Sequence, residues 1–182
     1  MITYHDVEQG TVKWKLMRKG LWTGSTAVRL LQGKKLLDES DWGGNDATRR
    51  GHALEIVAIR EYERRYKTKV QRPGFVTNSV YSNAGYSPDG IDGGYLLEVK
   101  SFNESNHKDL VNRSIPVVIL AQIYFGMIIT GKRKARLLAF NPDFREQLTV
   151  INITYDKIIG ANIRKKLRAD MKKRRSISEN DV

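Results

Sequence analysis

Two charged residues alternate with aliphatic residues in the short segment YLLEVK, which spans Tyr95 to Lys100. Successive side chains of a β-strand point to opposite faces of the sheet, so Leu97 and Val99 share one face while Glu98 and Lys100 share the other. The aliphatic content predicts a strand that is buried on both faces, where charged groups need partners. The alternative is an exposed pair of charges on a half-buried strand.

A second carboxylate is expected beside Glu98. Asp89 lies at the end of the preceding strand, in the segment SPDG, and a hairpin through the glycine-rich turn Asp92–Gly94 brings the two acidic residues together. Like charges a few ångströms apart are unfavourable unless a proton or a cation lies between them, and oxygen-only sites are those that Mg²⁺ prefers. These residues predict a hard-metal site. The alternative for Asp89 is a turn residue selected for its backbone preferences.

Periodicity and turn residues predict a mixed arrangement of helices and strands. The expected helices are at about 6–19, from Ser25 or Thr26 to Leu31, at 47–66, at 115–130 and from about Asp156. The expected strands are at 69–72, 75–80, 82–86, 95–101, 134–140 and 148–154, with residues 69–101 forming an antiparallel meander. Residues 38–46 are expected to be a loop. One domain is predicted over 1–175, followed by a disordered tail at 176–182.

Composition excludes several classes of protein. The 182 residues include no cysteine, which excludes disulfides, thiolate zinc sites, iron–sulfur clusters and cysteine nucleophiles. No run of 18 apolar residues occurs, because the longest candidate, Ile115–Ile129, is interrupted by Gln122. With no charged-then-apolar leader at the N-terminus, we expect no membrane association and an intracellular location.

The chain is strongly basic, with 32 lysines and arginines against 20 acidic residues and a formal net charge of +12. Over half of this excess lies in residues 164–175, which contain eight basic residues and one acid. Together with eight tyrosines and three tryptophans, this charge favours a nucleic-acid partner. One hypothesis is therefore a non-catalytic DNA-binding module. The alternative for residues 164–175 is that they are only the solvent-exposed end of a helix.

The combination Ser87-Pro88-Asp89-Gly90 and Glu98-Val99-Lys100 resembles the signature of PD-(D/E)xK nucleases. Three further groups of residues are similar to the phage lambda exonuclease group, also called YqaJ-type viral recombinases. They are Trp14 and Arg18 with Thr23-Gly24-Ser25, then Gly51 with Glu55, and finally Ala121 and Gln122 with Tyr124. The resemblance implies an α/β (α+β) fold in which helices flank a mixed central sheet.

The resemblance also implies an activity, namely Mg²⁺-dependent digestion of double-stranded DNA from a 5′ end, which leaves a 3′ single strand. Two Mg²⁺ ions per site are expected, with Mn²⁺ as a possible substitute. The implied metal ligands are Asp89, Glu98, the main-chain carbonyl of Val99 and Glu55. Lys100 would position and deprotonate the attacking water. The alternative for Glu55 is a solvated acid on a helix.

Three other polar residues receive roles from the same resemblance. Gln122 would hold the nucleophile or the Lys100 side chain, while Arg18 and Ser25 would bind the terminal 5′-phosphate. The alternatives are a structural hydrogen bond for Gln122, a generic surface charge for Arg18 and a helix cap for Ser25. His107 is expected in a solvated loop, with contact to a DNA backbone as the other possibility.

The family implies a single-strand annealing protein as partner, a ring of three subunits, and a phage or prophage origin in a bacterial cytoplasm. A third hypothesis is a sequence-specific or structure-specific endonuclease of the same superfamily. That enzyme would share the catalytic residues but would not need Arg18 and Ser25 for binding DNA ends. Covalently closed circular DNA distinguishes the two, since only an endonuclease cuts it.

Overall fold

The computed structural model describes residues 1–36 and 46–180. Within these ranges the chain forms six α-helices: α1 Val12–Arg18, α2 Ala27–Leu31, α3 Asp46–Tyr66, α4 Glu104–Val111, α5 Val117–Thr130 and α6 Lys157–Asn180. The same ranges contain seven strands: β1 Ile2–His5, β2 Phe75–Asn78, β3 Gly85–Tyr86, β4 Gly90–Asp92, β5 Tyr95–Lys100, β6 Lys134–Phe140 and β7 Leu148–Thr154. The loop predicted at 38–46 lies outside the described residues except for Asp46, where α3 begins.

The strands form two sheets. One has the order β1-β2-β3 and is antiparallel, and the other has the order β4-β5-β6-β7. In the second sheet β5 and β6 are parallel, while the β4–β5 and β6–β7 pairs are antiparallel. The predicted mixed α/β fold is therefore confirmed. The predicted continuous meander over 69–101 is wrong, because β2 pairs with β1 and β3 in one sheet, whereas β4 and β5 form their hairpin in the other sheet.

The central sheet is covered on both faces. Leu96 packs in a cluster with α5 residues such as Ile123 and Phe125, whereas Leu97 and Val99 pack against α3. Alternation along β5 thus places Glu98 and Lys100 on the face covered by α5. The parallel pairing of β5 with β6 requires a crossover connection, and α4 and α5 supply it.

Several elements differ from the sequence prediction. The helix expected at 6–19 is restricted to α1, and β1 precedes it. Helix α4 was not predicted, and His107, expected in a solvated loop, lies on it with no exposed surface. Its ring packs on Phe144 at a centroid distance of 4.5 Å. Helix α6 continues through residues 176–180, where a disordered tail was expected.

The described parts of the chain include no helix with the length and apolar character needed to cross a membrane.

Candidate functional site

Glu98 is a buried carboxylate at the centre of the site, with 1% of its surface exposed. The Tyr86 hydroxyl donates a hydrogen bond of 2.6 Å to Glu98 Oε2, and Lys100 Nζ donates one of 2.6 Å to Oε1. A buried charge is stable only when it is paired and hydrogen-bonded, and Glu98 meets both conditions. The exposed-pair alternative for Glu98 and Lys100 is therefore wrong.

The β4–β5 hairpin brings Asp89 next to Glu98, as the sequence predicted. Asp89 Oδ2 accepts a hydrogen bond of 2.6 Å from the Val99 amide, directly between Glu98 and Lys100. Burial and the negative charges of Glu98 and Glu55 raise the pKa of Asp89 well above its ordinary value, although Lys100 acts in the opposite direction. Glu98 and Glu55 thus each repel Asp89, and a cation would relieve that repulsion.

Lys100 and Tyr86 both keep their protons in this environment. Burial lowers the pKa of Lys100, but the charges of Glu98 and Asp89 outweigh burial, and the pKa lies above its ordinary value. The Tyr86 pKa is raised by burial and by the same two carboxylates. The raised pKa favours the ammonium form of Lys100, which suits the predicted positioning of the water but not its predicted deprotonation, and the side chain keeps 21% of its surface exposed.

Glu55 reaches the site from α3 and is only 12% exposed at its side chain. Its carboxylate forms an ion pair with Arg72, whose Nε also donates to the Asp89 carbonyl at 3.3 Å. His52 Nδ1 lies 3.6 Å from the second Glu55 oxygen. Glu55 is therefore not a solvated helix acid. Arg72 links it to the Asp89 segment.

The ring of Tyr86 occupies a narrow slot between two glycines. A Cβ atom at Gly24 would lie 2.7 Å from Tyr86 Cε2, and one at Gly126 would lie 2.5 Å from Cζ. Both distances are too short for carbon atoms, so only glycine fits at these positions. The same added Cβ at Gly24 would lie 3.1 Å from Gln122 Cγ, which places Gln122 beside the slot. Within the described residues, Gln122 makes no hydrogen bond to Lys100.

Arg18 lies in a second cluster, and it is 7% exposed. Its guanidinium carbon lies 4.2 Å from the centroid of the Trp14 ring, Nη1 donates to Ser87 Oγ at 3.2 Å and Nη2 donates to Ser25 Oγ at 3.5 Å. The Trp14 Nε1 also donates to Ser87 Oγ at 2.9 Å. The generic surface-charge alternative for Arg18 is therefore wrong, and Arg18 and Ser25 converge as predicted.

Local structure fixes this cluster. Thr11 caps α1, since its side chain accepts a hydrogen bond from the Trp14 amide, and one turn later Arg18 ends the helix. Ser25 lies in a 3₁₀ turn at Gly24–Thr26, where its Oγ is 2.9 Å from Thr23 Oγ1. The N-cap residue of α2 is Thr26. Ser25 is therefore not the cap of α2, and its hydroxyl lies at the surface beside Arg18.

The donor chemistry of the site suits a hard divalent cation. Asp89, Glu98 and Glu55 offer oxygen atoms, and burial together with the charges of the other two carboxylates raises the pKa of Asp89. Among the described residues, however, no three acidic or histidine side chains stand close enough together to hold one ion. The internal partners account for this, since Lys100 and Tyr86 bind Glu98 while Arg72 binds Glu55. The residues fit a metal chiefly through Asp89 and Glu98.

Three residues of the site were not predicted to have a polar role. Tyr86 is a buried aromatic residue, and its hydroxyl also binds Glu98. Ser87 joins the Arg18 cluster to Asp89, which is two residues further along the chain. Arg72 was not singled out. Tyr86 and Ser87 could have been identified from the sequence, because they lie in or next to the SPDG segment that contains Asp89. Nothing in the sequence near Arg72 indicates its contact with Glu55.

The arrangement of the two sheets and the helices matches the PD-(D/E)xK-type alkaline exonuclease fold. The structure is similar to two crystal structures of LHK-Exo, an alkaline exonuclease from Laribacter hongkongensis, one of which is a complex with dAMP. The TM-score is 0.77 at 21% identity, covering 93% of this chain and 95% of that one. A phage-related exonuclease from Haemophilus somnus 129PT gives a TM-score of 0.66 at 11% identity, covering 92% and 99%.

Residues 13–133 match the YqaJ-like viral recombinase domain. This match covers more than half of the chain, and the protein therefore belongs to the family of YqaJ-like viral recombinase domains. The matched residues include the Arg18 cluster, Glu55, the β4–β5 hairpin and Gln122. No curated protein matches the sequence significantly.

Proposed function

We propose that this protein is a Mg²⁺-dependent exonuclease that hydrolyses double-stranded DNA from 5′-phosphorylated ends in the 5′→3′ direction. The observation that supports this most directly is the position of Ser87, which binds Arg18 and lies two residues before Asp89. A cluster suited to a terminal phosphate and a cluster suited to hydrolysis are therefore joined by one short segment. The remaining 3′ single strand would serve recombination.

Asp89 and Glu98 would hold the metal, with the Val99 carbonyl as a further ligand and Glu55 completing a second site. Bound Mg²⁺ would supply a nucleophile from water and offset the negative charge that develops during phosphodiester hydrolysis. Ligation by Glu55 requires its carboxylate to exchange Arg72 for the metal, since the two side chains form an ion pair. Arg72 is then a positioning residue for Glu55.

Lys100 would contribute positive charge at the reacting phosphate. Its ammonium group touches Glu98 and is partly exposed, so it can face both the metal ligands and the substrate. Fixed charges that are oriented before the reaction stabilise developing negative charge without reorganisation. Tyr86 would orient Glu98 through its hydroxyl, and Gln122, beside the Tyr86 ring, would act at the edge of the site.

Arg18 and Ser25 would bind the terminal 5′-phosphate. A guanidinium group suits this role because it offers several donors in one plane to a dianion. Stacking on Trp14 fixes that plane, and Ser87 fixes its rotation. Binding of the end would place the adjoining phosphodiester near Asp89, which makes the enzyme an exonuclease.

The test uses a linear 5′-phosphorylated duplex and a covalently closed circular duplex, each with Mg²⁺ or with EDTA. Labels at both strand ends report polarity, and the wild type is compared with Lys100→Ala. We expect wild type to degrade the linear duplex from its 5′ ends only with Mg²⁺, and Lys100→Ala to be inactive. Circular DNA should stay intact.

Three results would contradict the proposal in different ways. Cleavage of the circle would indicate an endonuclease of the same superfamily. Degradation from 3′ ends would overturn the assigned polarity. Binding of both substrates without cleavage would overturn the catalytic assignment and leave a basic DNA-binding module.

The resemblance further supports two partners as part of this proposal, a single-strand annealing protein and additional copies of the chain in a ring of three. Light scattering of the purified protein measures the oligomeric state directly. A monomer at the concentrations used for the nuclease assay would contradict the ring.

A further inference from the structure

A basic pocket lies beyond the C-terminal end of α5. Its volume is about 180 Å³, and it is lined by Lys132, Arg133, Arg164, Tyr81 and Tyr155 together with the last turn of α5. None of the lining residues is acidic. We call it the Tyr155 pocket.

The Tyr155 pocket is separate from the candidate active site. Lys134, which follows the pocket residues Lys132 and Arg133, pairs with Tyr95 at the first residue of β5, whereas Lys100 is the last residue of that strand. Six residues of strand extend over about 17 Å. The pocket therefore lies at the opposite end of the central sheet, and the proposed hydrolysis does not use it.

The cations of the pocket are arranged around one aromatic ring. The Arg133 guanidinium lies 4.5 Å from the Tyr155 ring centroid, and Arg164 lies 5.8 Å from it and donates to the Tyr155 hydroxyl. Lys132 donates to the Gly93 carbonyl at 2.7 Å. A stacked guanidinium keeps edge donors for an anion. Within the described residues, none of these three cations forms an ion pair.

Helix α6 extends the positive charge away from the pocket. Lys157, Arg164, Arg168 and Lys172 lie on one flank of the helix, because they are separated by seven or four residues. We call these four residues the α6 stripe. Successive cations from Arg164 onward are about 6 Å apart along the helix axis. That spacing allows about one cation for every one or two phosphates of a nucleic-acid strand.

The stripe is not neutralised by neighbouring acids of its own helix. Asp170 is the acidic residue between Lys157 and Lys172, and its carboxylate accepts from Asn83 at 2.7 Å and from Arg174 at 2.7 Å. Asp170 therefore points toward the protein, away from Arg168 and Lys172.

We propose that the Tyr155 pocket and the α6 stripe together bind the phosphate backbone of a nucleic-acid strand. The pocket takes one phosphate with its sugar, and the stripe follows the next phosphates along α6. Duplex DNA and single-stranded product share this chemistry. The inference relies on the proposed function for the choice of DNA as partner, but it does not depend on cleavage.

The experiment measures fluorescence polarisation of labelled duplex and labelled single strand, each with the full chain in EDTA, over a range of salt concentrations. The pocket variant is Arg133→Gln with Arg164→Gln, and the stripe variant is Arg168→Gln with Lys172→Gln. We expect each variant to bind at least one of the two DNA forms about tenfold more weakly. We also expect the slope of log affinity against log salt to decrease by about two, one for each lost phosphate contact.

The matched control is Lys34→Gln with Lys35→Gln, which removes the same charge. Both lysines are exposed and follow Gly33, which lies beside Lys166 on the other flank of α6. Binding by this control should differ from that of the wild type by no more than about twofold. Thermal unfolding of all variants checks that they remain folded, and the stripe variant changes only exposed side chains.

The two labelled DNA forms show whether the surface binds the phosphates of the duplex substrate or those of the single-stranded product. A loss confined to single strand assigns the surface to the product, and a loss confined to duplex assigns it to the undigested substrate. If all variants bind both forms as the wild type does, the proposal is overturned even if the protein cleaves DNA. If labelled poly-glutamate binds as tightly as DNA and the same variants weaken it, the surface recognises an acidic protein and the proposal is again overturned.

A failure of the proposed function is distinguishable from these results. Binding is measured in EDTA, so a chain without nuclease activity can still satisfy every expectation of this test. Such an outcome would support a DNA-binding module that uses α6.

Discussion

Glu98 and Arg18 are both charged and almost fully buried, with 1% and 7% of their surface exposed, but the protein holds them differently. The partners of Glu98 are Lys100 on its own strand and Tyr86 on β3. Arg18 stacks on Trp14 and contacts the hydroxyls of Ser25 and Ser87. The position of Glu98, the candidate catalytic group, is therefore set by the register of its strand. The position of Arg18, the candidate end-binding group, is set by how the short helix α1 packs on the rest of the protein.

The largest effect is expected from Glu98→Gln. The amide removes the negative charge from the centre of the site and leaves Lys100 without its ion pair, while a carbonyl oxygen can still accept from Tyr86. We expect the rate of DNA cleavage to fall by roughly 10²–10³-fold, as for the loss of one fixed electrostatic group in an enzyme site. Initial rates at saturating Mg²⁺ measure this. A rate within about twofold of wild type would show that Glu98 is structural only.

A smaller effect is expected from Tyr86→Phe, which keeps the ring in its slot and removes only the hydrogen bond to Glu98. Hydrogen bonds to charged groups contribute about 1.5–3 kcal/mol, so the free energy of unfolding should fall by that amount. Urea denaturation measures it. The control is Tyr124→Phe, whose hydroxyl makes a long bond of 3.4 Å to the Thr154 carbonyl. This variant should lose less than about 1 kcal/mol. Equal losses would contradict the assignment.

Arg18→Lys tests the second buried charge, the candidate end-binding group. Lysine keeps the charge but has neither the planar donors nor the stacking surface of arginine. We expect the preference for 5′-phosphate over 5′-hydroxyl ends to fall about tenfold, since one charge-assisted pair of bonds is lost. Rates on the two kinds of end are compared directly. An equal decrease on both would indicate that Arg18 supports the fold or the catalytic step.

The smallest effect is expected from Ser25→Ala. Ser25 is exposed, and its hydroxyl is 3.5 Å from Arg18 Nη2, so its contribution should be that of one weak hydrogen bond, about 0.5–1 kcal/mol. The preference for 5′-phosphate should fall by about threefold. If Ser25→Ala had a larger effect than Arg18→Lys, the order of importance within the cluster would be reversed.

Much of the central sheet could be predicted from the sequence because its signals are local. Alternation in YLLEVK gave β5 and the shared face of Glu98 and Lys100, and the apolar run at 115–130 gave α5. The SPDG segment and the following turn gave the approach of Asp89 to Glu98, which the β4–β5 pairing confirms. Each of these inferences depended only on residues that are close together in the sequence.

The remaining features depend on contacts between distant residues. Strand β1 has exposed residues and only four positions, and its partner β2 is about seventy residues away. The meander was wrong for that reason, because periodicity does not specify which sheet a strand joins. Helix α4 was missed because only His107 and Leu110 are buried on it, which is too few apolar positions for a periodic signal. The Arg72–Glu55 pair connects a loop with α3 and leaves no pattern in either segment.

The narrow slot around Tyr86 limits which substitutions can accumulate in this chain. An added methyl group at Gly24 or Gly126 would collide with the tyrosine ring, so these positions cannot change one at a time while the ring stays in place. In distant members of the family, a side chain at the position of Gly126 should accompany a smaller residue at the position of Tyr86. A relative that has made that exchange would need a different donor for its buried carboxylate, and the identity of that donor would mark a separate lineage of the site.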